Sequence, residues 1–416
     1  MNFRLFFTGL LCLFTSYSSY SQKTLSLKEA LNLAREKNPF YKAEKQNIDI
    51  ARSDVTTAEL KINPTGSIGL QQLTAPNYFP ENTGFFSSDN RQISYQVSKT
   101  FQVKGQRKVK IQAANANFDI IRINLSDYER ILLGNVAQQW LNVWYAIRKL
   151  EIVNLAKANS DTLLKINSNR LKNQVITVTD YTRTEIVNEQ YQLLLLGAHQ
   201  SLKSEMSNLA LSLGQNDSIE ADEKELPSFI ILPTNIDSFV NHAIQYRTDL
   251  LAARQTIEKS KIDVSVQKAI ASPQPNLGIG YSRQNRIPYW GLSFSIPLPF
   301  YDRNQGEIAK ASVSVTKAEN MEDAITKQVK SEVRIAYQDY VTNKLTFENF
   351  ASINRKSENV LKTVKFSYLK GGTTILDYLD AERTWFDTQN QYYDALYTYQ
   401  KSIVQLLVAS NLISLI

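Results

Sequence analysis

The stretch Trp290–Gly306, WGLSFSIPLPFYDRNQG, contains the change of pattern that decides the fold. Its first half alternates large apolar residues with Gly and Ser, which is the period-two pattern of a strand with one apolar and one polar face. No proline follows Pro299 in the rest of the chain. Because proline costs about 3 kcal/mol inside a helix, the following residues can form a very long helix. The stretch therefore predicts a strand that leads directly into a long helix.

This unit occurs twice in the chain. An ungapped shift places residues 32–69 over residues 241–278 with nine identical positions, where composition alone would give about two. The match resumes further along, where Asp180 falls over Asp377, after an insertion around residues 73–88 of the first copy. We therefore predict a tandem duplication. The predicted order is a signal peptide at 1–21, a first repeat at 22–214, an acidic linker at 215–233 and a second repeat at 234–416.

Each repeat is predicted to contain a helix, a strand pair, a very long helix, a tight break and a final helix. The long helices are predicted over about Gly105 to Leu171 and Asn304 to Leu369. Between Ile121 and Leu150, apolar residues recur at spacings of three and four, which places them on one helix face. At about 1.5 Å per residue each helix is about 100 Å long, so the helices must pack side by side as a bundle, a coiled coil or the staves of a tube.

The strand pairs carry an apolar face of the kind found on outer-membrane barrel strands. We predict that this face contacts lipid, and its residues are Ile93, Tyr95, Val97, Leu277, Ile279, Tyr281, Trp290, Leu292, Phe294 and Ile296. Four short strands cannot close a barrel alone, and open strand edges are unstable in lipid, so closure requires oligomerisation. The alternative is a small amphipathic sheet that lies on a helical core.

Composition argues against several classes of function. The only cysteine, Cys12, lies in the apolar part of the predicted signal peptide, so the exported chain has no disulfide or thiolate metal site. The formal charge of +7 includes no block of Lys or Arg, which together with export argues against a nucleic-acid partner. His199 and His242 lie far apart without neighbouring ligands, so we predict no metal site and no cofactor. No nucleophile motif, phosphate loop or pair of catalytic carboxylates is present, and we predict that the protein is not an enzyme.

Three stretches resemble the TolC-like outer membrane efflux protein family. They are Arg247–Ala253 (RTDLLAA), Ser293–Gly306 (SFSIPLPFYDRNQG) and Lys370–Arg383 (KGGTTILDYLDAER), and the last two are most similar to members that serve heavy-metal or small-cation pumps. Thr248 stands where members usually have Pro. The chain ends at Ile416, directly after the last predicted helix, so we expect only a small belt around the middle of the tube.

The resemblance implies a mainly α fold with a transmembrane β-barrel portion. Three chains would give four strands each to one 12-stranded barrel in the outer membrane, and the helices would continue as a periplasmic tunnel. The implied function is a passive exit duct of a tripartite efflux system, opened when a periplasmic adaptor (membrane fusion) protein and an inner-membrane pump engage it. The implied partners are two further copies of the chain, the adaptor, the pump and outer-membrane lipid.

The resemblance also implies two functional sites at the breaks between the last helices of each repeat. The predicted adaptor-contacting tips are Asn173, Gln174, Val175, Asp180, Gly371, Gly372, Thr373 and Thr374. The predicted periplasmic gate consists of Asp377 and Asp380, which would form acidic rings that favour cations. The alternative is a local role, with Asp377 as the N-cap of the last helix and Asp380 in its first turn.

Two other functions stay open at this point. A type I protein-secretion duct would share the same pattern. A periplasmic coiled-coil adaptor or structural protein would explain the long helices, although it would not need the alternating apolar strands.

Overall fold

The computed structural model describes residues 24–103, 105–215, 219–221, 235–284 and 286–415. The predicted signal peptide and most of the predicted linker lie outside these residues. In the predicted first repeat the elements are α1 (Leu27–Lys37), α2 (Pro39–Glu59), β2 (Thr65–Gln72), β3 (Arg91–Thr100), α3 (Gln106–Lys172) and α4 (Val178–Ser212). In the second they are α5 (Ile236–Tyr246), α6 (Thr248–Ile270), β5 (Asn276–Gln284), β6 (Ile287–Ser295), α7 (Gln305–Leu369) and α8 (Ile375–Ala409). Two further strands, β1 (Thr24–Leu25) and β4 (Glu220–Ala221), form a short parallel pair that the sequence did not indicate.

The prediction of one helix before each strand pair is wrong, because each of these helices is divided in two. Asn38 has an extended ψ of 122°, its side chain accepts a hydrogen bond from the Tyr41 backbone N–H at 2.9 Å, and Pro39 begins α2. Asn38 thus ends α1 and caps α2, and proline fits the first helical position, where no N–H partner is needed. Arg247 divides α5 from α6 at the equivalent site with ψ 126°. Its buried guanidinium contacts Asp249 and, more closely, Glu332.

The main sheet has the strand order β2-β3-β5-β6, and all its neighbouring pairs are antiparallel. The register places Tyr95 opposite Tyr281 and Tyr281 opposite Trp290. Since directly opposed residues share a face, the predicted apolar residues of the strands lie on one side of the sheet. Ile296 is the exception, since β6 ends at Ser295 and the next residue, Pro297, lacks the N–H that a ladder requires.

The connections at the far end of the sheet differ between the repeats. Residues 73–90 join β2 to β3 and contain the 3-10 turns Pro76–Tyr78 and Ser88–Asn90, whereas β5 ends at Gln284 and β6 already begins at Ile287. The insertion predicted from the repeat therefore lies in this loop. An ion pair between Arg286 and Asp89, with 2.6 Å between Nη2 and Oδ2, joins the two connections.

The helices form one layer in which α3 and α7 run the whole length. In the half of the layer near the sheet, the helices lie side by side in the order α2, α3, α6, α7. In the other half, near the breaks between α3 and α4 and between α7 and α8, the order is α4, α3, α8, α7. The core lies midway, where Trp140 and Trp144 of α3 are buried against α1, α4 and α8. The indole N–H of Trp140 donates to the Leu25 carbonyl at 2.8 Å, which fixes β1 to this core. Among the described residues, none of the helices has the combination of length and apolar character needed for a membrane span.

Candidate functional site: the paired helix breaks and the apolar sheet face

The two breaks end their long helices in the same way. Gln174 (φ 57°) and Gly371 (φ 78°) adopt the left-handed conformation directly after the C-cap residues. The next N–H groups then reach back into the helix, from Val175 to the Arg170 carbonyl at 2.8 Å and from Gly372 to the Ser367 carbonyl at 2.9 Å. This Schellman arrangement satisfies carbonyls that a helix end leaves unpaired.

The helices that follow the breaks begin with matching capping boxes. Thr177 and Thr374 are the N-caps, and each exchanges hydrogen bonds with an aspartate three residues later, Asp180 and Asp377. The prediction of Asp377 as the N-cap is therefore wrong, because the hydroxyl of Thr374 already occupies that position and Asp377 takes the third place in the helix. Asp380 lies a further three residues along α8 and hence beyond the first turn.

Asp377 is the more strongly held of these two carboxylates. The Thr373 hydroxyl donates to its Oδ2 at 2.6 Å, the Thr374 hydroxyl at 2.7 Å and the Thr374 backbone N–H at 3.0 Å. These donors, Thr373 first, hold the pKa of Asp377 below its usual value. Asp377 and Asp380 are both exposed to solvent in the single chain.

A chain of hydrogen bonds joins the two breaks, although they are about 200 residues apart in sequence. Arg170 donates to the carbonyls of Tyr368 and Leu369 at 3.1 and 3.2 Å, and its guanidinium lies 4.6 Å from the centre of the Tyr368 ring. The Tyr368 hydroxyl donates to Asn167 at 2.6 Å, and the Asn167 amide donates to the Thr184 hydroxyl at 2.8 Å. The sequence carries little signal of these hydrogen bonds beyond a polar residue, Asn167, four positions after the apolar Leu163.

A cavity of about 610 Å³ lies between the two breaks. The predicted tip residues that line it are Gln174, Val175, Asp180, Gly371, Thr373 and Thr374. Asn173 and Gly372 lie at the same breaks but outside the lining, as do the predicted gate residues. Val175 is 67% exposed and stands with the exposed Leu376 beside the acidic Asp180. Because Arg170 also lines the cavity, the breaks present exposed apolar groups together with charges of both signs.

The apolar face of the sheet is the second site, at the opposite end of the long helices. Leu292 is 87% exposed, and Trp290 and Phe294 on the same strand are also exposed. The rings of Tyr281 and Trp290 lie 5.2 Å apart. The other face carries small and polar groups, such as the Gln96 amide, which donates to the Ser293 hydroxyl at 2.6 Å. No described residue covers the apolar face, which contradicts the alternative of a sheet packed on a helical core.

The histidines have separate environments. His199 is exposed on α4, whereas the Nδ1 atom of His242 lies 2.8 Å from the Ser410 carbonyl oxygen. Across the part of the chain that the structure describes, no three His, Cys, Asp or Glu residues gather in a way that could hold a metal ion.

A layer of very long helices that continues into a small sheet with an uncovered apolar face is also the fold of solved outer membrane channels. The family described as outer membrane efflux protein matches residues 239–412, which cover most of the second repeat. Over these residues the chain is similar to outer membrane efflux proteins.

Proteins similar to this chain match it over nearly its whole length. The cobalt-zinc-cadmium resistance protein CzcC of Cupriavidus metallidurans is 23% identical over 402 residues, which are 90% of this chain and 88% of that protein. The outer membrane protein TolC of Salmonella enteritidis is 21% identical over 92% of this chain and 81% of its own length. The Campylobacter jejuni CmeC outer membrane channel has the same fold, with a TM-score of 0.78, 16% identity and coverage of 94% of this chain and 90% of that structure.

Proposed function

We propose that this protein is the outer-membrane exit duct of a tripartite efflux system, built from three copies of the chain. The observation that carries the proposal is that the sheet, the helices beside the sheet and the helices near the breaks all have unpaired edges on the same two sides of the molecule. β2 and β6 are the outer strands of the sheet, α2 and α7 the outer helices beside it, and α4 and α7 the outer helices near the breaks. In the trimer, the edge formed by β6 and α7 of one copy would therefore lie against the edge formed by β2, α2 and α4 of the next copy. This single arrangement would cover the open edges at all three levels.

Exposed apolar residues on the outer helices support this closure. Leu193 and Leu196 project from α4, and Val313 and Leu345 project from α7. Large apolar groups on both edges of a layer indicate a partner surface. Three copies would join their strands into one 12-stranded barrel, in which every backbone edge is paired as lipid requires.

The uncovered apolar sheet face supports a position in the outer membrane. A closed barrel would turn Leu292 and its neighbours toward lipid and Ser293 and its neighbours toward the lumen. Tyr95, Tyr281 and Trp290 would supply aromatic rings near an interface. A periplasmic adaptor, the alternative from another class of protein, has no use for such a face.

The paired breaks would then form the periplasmic end of the duct, about 100 Å from the sheet at about 1.5 Å per residue. Their surface of exposed apolar and charged groups suits a periplasmic adaptor protein, which in turn would connect to an inner-membrane pump. Threefold symmetry would gather three copies each of Asp377 and Asp380 around one axis as the gate. The duct is passive, and the pump supplies the energy.

We further propose divalent metal cations as the cargo. The resistance protein of Cupriavidus metallidurans supports this substrate class, and the acidic gate suits cations by charge. The similarity to TolC keeps a protein-secretion duct as the second candidate. Deletion of the gene separates the two, because a cation duct predicts hypersensitivity to cobalt, zinc or cadmium salts with unchanged secreted proteins. The genes beside it provide an independent indication.

Native mass measurement of the detergent-extracted protein, after separation of inner and outer membranes, tests the central proposal. We expect trimers in the outer-membrane fraction. A monomer in the soluble periplasmic fraction would contradict both the closure and the location.

A further inference from the structure

Glu382 is a buried carboxyl group that neither the duct nor the gate described above uses. It lies on α8, one turn after Tyr378 and one turn before Trp385, and only 1% of the residue is exposed. Neither Oε1 nor Oε2 has a hydrogen-bond partner within the described residues. Because this burial is complete within a single chain, it does not depend on how the copies assemble.

The surroundings of Glu382 are apolar on both sides along the helix. Toward the sheet, Trp385 packs with Ala156, Tyr191 and Leu361. Toward the breaks, Tyr378 packs with Leu163, Tyr368 and Ile375. Ser160 of α3 lies between these two clusters, is fully buried and also has no hydrogen-bond partner for its hydroxyl among the described residues.

The ionisable groups near Glu382 do not compensate a negative charge there. Lys365 of α7 is the cation that acts on it, and its ammonium group donates to Asn159 at 3.1 Å. The phenols of Tyr191 on α4 and Tyr378 on α8 also interact with Glu382. Asp387 of α8 acts in turn on Tyr191, and Tyr368 of α7 acts on Tyr378. The charges of α3 at this level, Lys157 and Asp161, pair with each other at 2.6 Å.

An isolated carboxylate in such a site is very costly, and a carboxyl group in this position takes up a proton instead. Burial raises the pKa of Glu382 from 4.5 to about 7, and the attraction of Lys365 lowers it by less than burial raises it. The packed arrangement around Glu382 therefore contains the neutral acid at mildly acidic pH.

We propose that Glu382 is a proton-operated latch for the gate half of the chain, carrying a proton while α3, α4, α7 and α8 are packed around it and releasing that proton when they separate. This inference rests on the proposed function, because separation of these helices is what would open the periplasmic end. Tyr378, one turn from Glu382, packs beside the Asn167–Tyr368 pair that joins the breaks. Loosening around Glu382 would therefore act directly on the contacts that hold the breaks together.

The direction of the pH effect follows from the difference in proton binding between the packed and the separated state. The packed state binds the proton more tightly than a hydrated state in which Glu382 has its ordinary pKa of 4.5. Acid therefore stabilises the packed state relative to the hydrated state. This stabilisation is lost as pH rises through about 7. Between about pH 5.5 and about pH 8.5, this difference changes the open-to-packed equilibrium roughly 30-fold per chain.

Hydrogen exchange of the α8 amides, corrected for intrinsic exchange at each pH, tests the latch whether or not the protein conducts. The purified trimer in detergent should show α8 exchange that rises roughly 30-fold between about pH 5.5 and about pH 8.5. Glu382→Gln has the same shape and cannot ionise, so its exchange should stay at the slow, packed level. Asp387→Asn is the matched control, since the Asp387 side chain is 58% exposed on the same helix and its loss should leave the response intact.

Histidine side chains in general change charge between about pH 5 and pH 8, so the series is repeated in a His199→Asn/His242→Asn background. The latch is supported if the pH dependence of α8 exchange is retained without the histidines and is lost in Glu382→Gln. A response that survives Glu382→Gln, or that disappears with the histidines, overturns it. Infrared difference spectra provide a second readout. The latch requires that the unsubstituted protein shows a protonated-carboxyl band at about pH 6 and that Glu382→Gln lacks this band.

Single-channel recordings separate the latch from the duct. If α8 exchange follows pH through Glu382 but no variant conducts at any pH, the latch stands and the exit duct fails. If the trimer conducts with no influence of Glu382 on exchange or on the infrared band, the duct stands and the latch fails.

Discussion

An arginine on the proposed lipid face is the most direct test of how the sheet is oriented. Leu292 lies in the middle of β6, opposite Ile279, and its side chain is almost fully exposed in the single chain. A Lys or Arg near the bilayer midplane of a barrel costs about 2 to 4 kcal/mol, and the trimer would carry three copies, which gives about 6 to 12 kcal/mol per assembly. We therefore expect Leu292→Arg to abolish or severely reduce trimers in the outer-membrane fraction, as read by semi-native electrophoresis and native mass measurement.

The neighbouring Ser293→Arg is the matched control. Ser293 lies on the other face, where an arginine would project into the aqueous lumen and remove only the exposed hydrogen bond from Gln96, worth about 1 kcal/mol. We expect this variant to assemble, with altered conductance. Equal yields of trimer from both variants would refute the assignment of faces, and a deficit confined to Ser293→Arg would reverse it.

The remaining predictions concern the paired breaks. Asp377→Asn/Asp380→Asn should leave α8 folded, since Thr374 still caps the helix, but should weaken cation selectivity and block by multivalent cations in planar bilayers at low salt; unchanged recordings would leave Asp377 with the local capping role alone. Thr374→Ala should destabilise the start of α8 by about 1 kcal/mol, seen as faster hydrogen exchange at 375–380, whereas Thr373→Ala should have less effect because the capping box stays intact. Gly371→Ala should destabilise its break by about 1 kcal/mol because φ is 78°, and Gln174→Gly should stabilise the other break, so exchange rates at the two breaks should move in opposite directions. Tyr368→Phe keeps the ring beneath Arg170 but removes the hydroxyl that reaches Asn167, so proteolysis at both breaks should accelerate together, and acceleration at only one of them would argue against their connection.

The long helices and the faces of the sheet were readable from the sequence because each follows from a local pattern. A stretch without proline and with apolar residues at spacings of three and four predicts a helix, and α3 and α7 begin and end within one residue of the predicted positions. Strict alternation likewise placed Tyr95 and Leu292 on the same face of the sheet. The pair β1 and β4 was missed because strands of two residues have no period to detect.

The contacts that join the breaks were out of reach for a different reason. Arg170 and Tyr368 are neighbours only because the two repeats lie side by side, and a local pattern carries no information about that pairing. The role of Asp377 was misassigned because Thr374 and Asp377 are both acceptable N-caps, and only the backbone conformation of Thr374 decides between them. Glu382 lies in a polar sequence, DAER, that gives no indication that its carboxyl group is buried.

The unequal connections at the far end of the sheet bear on the symmetry of the proposed trimer. The two predicted repeats in each of three chains would give a wall that is close to sixfold symmetric along the helices. At the outer mouth, however, the long connection between β2 and β3 would alternate with the much shorter step from β5 to β6, so only threefold symmetry would be left. The same reduction would hold at the periplasmic end, where three breaks with Gln174 would alternate with three that carry Gly371. A ring of three partner subunits would have to select one kind of break, whereas a ring of six would meet two inequivalent docking positions in turn.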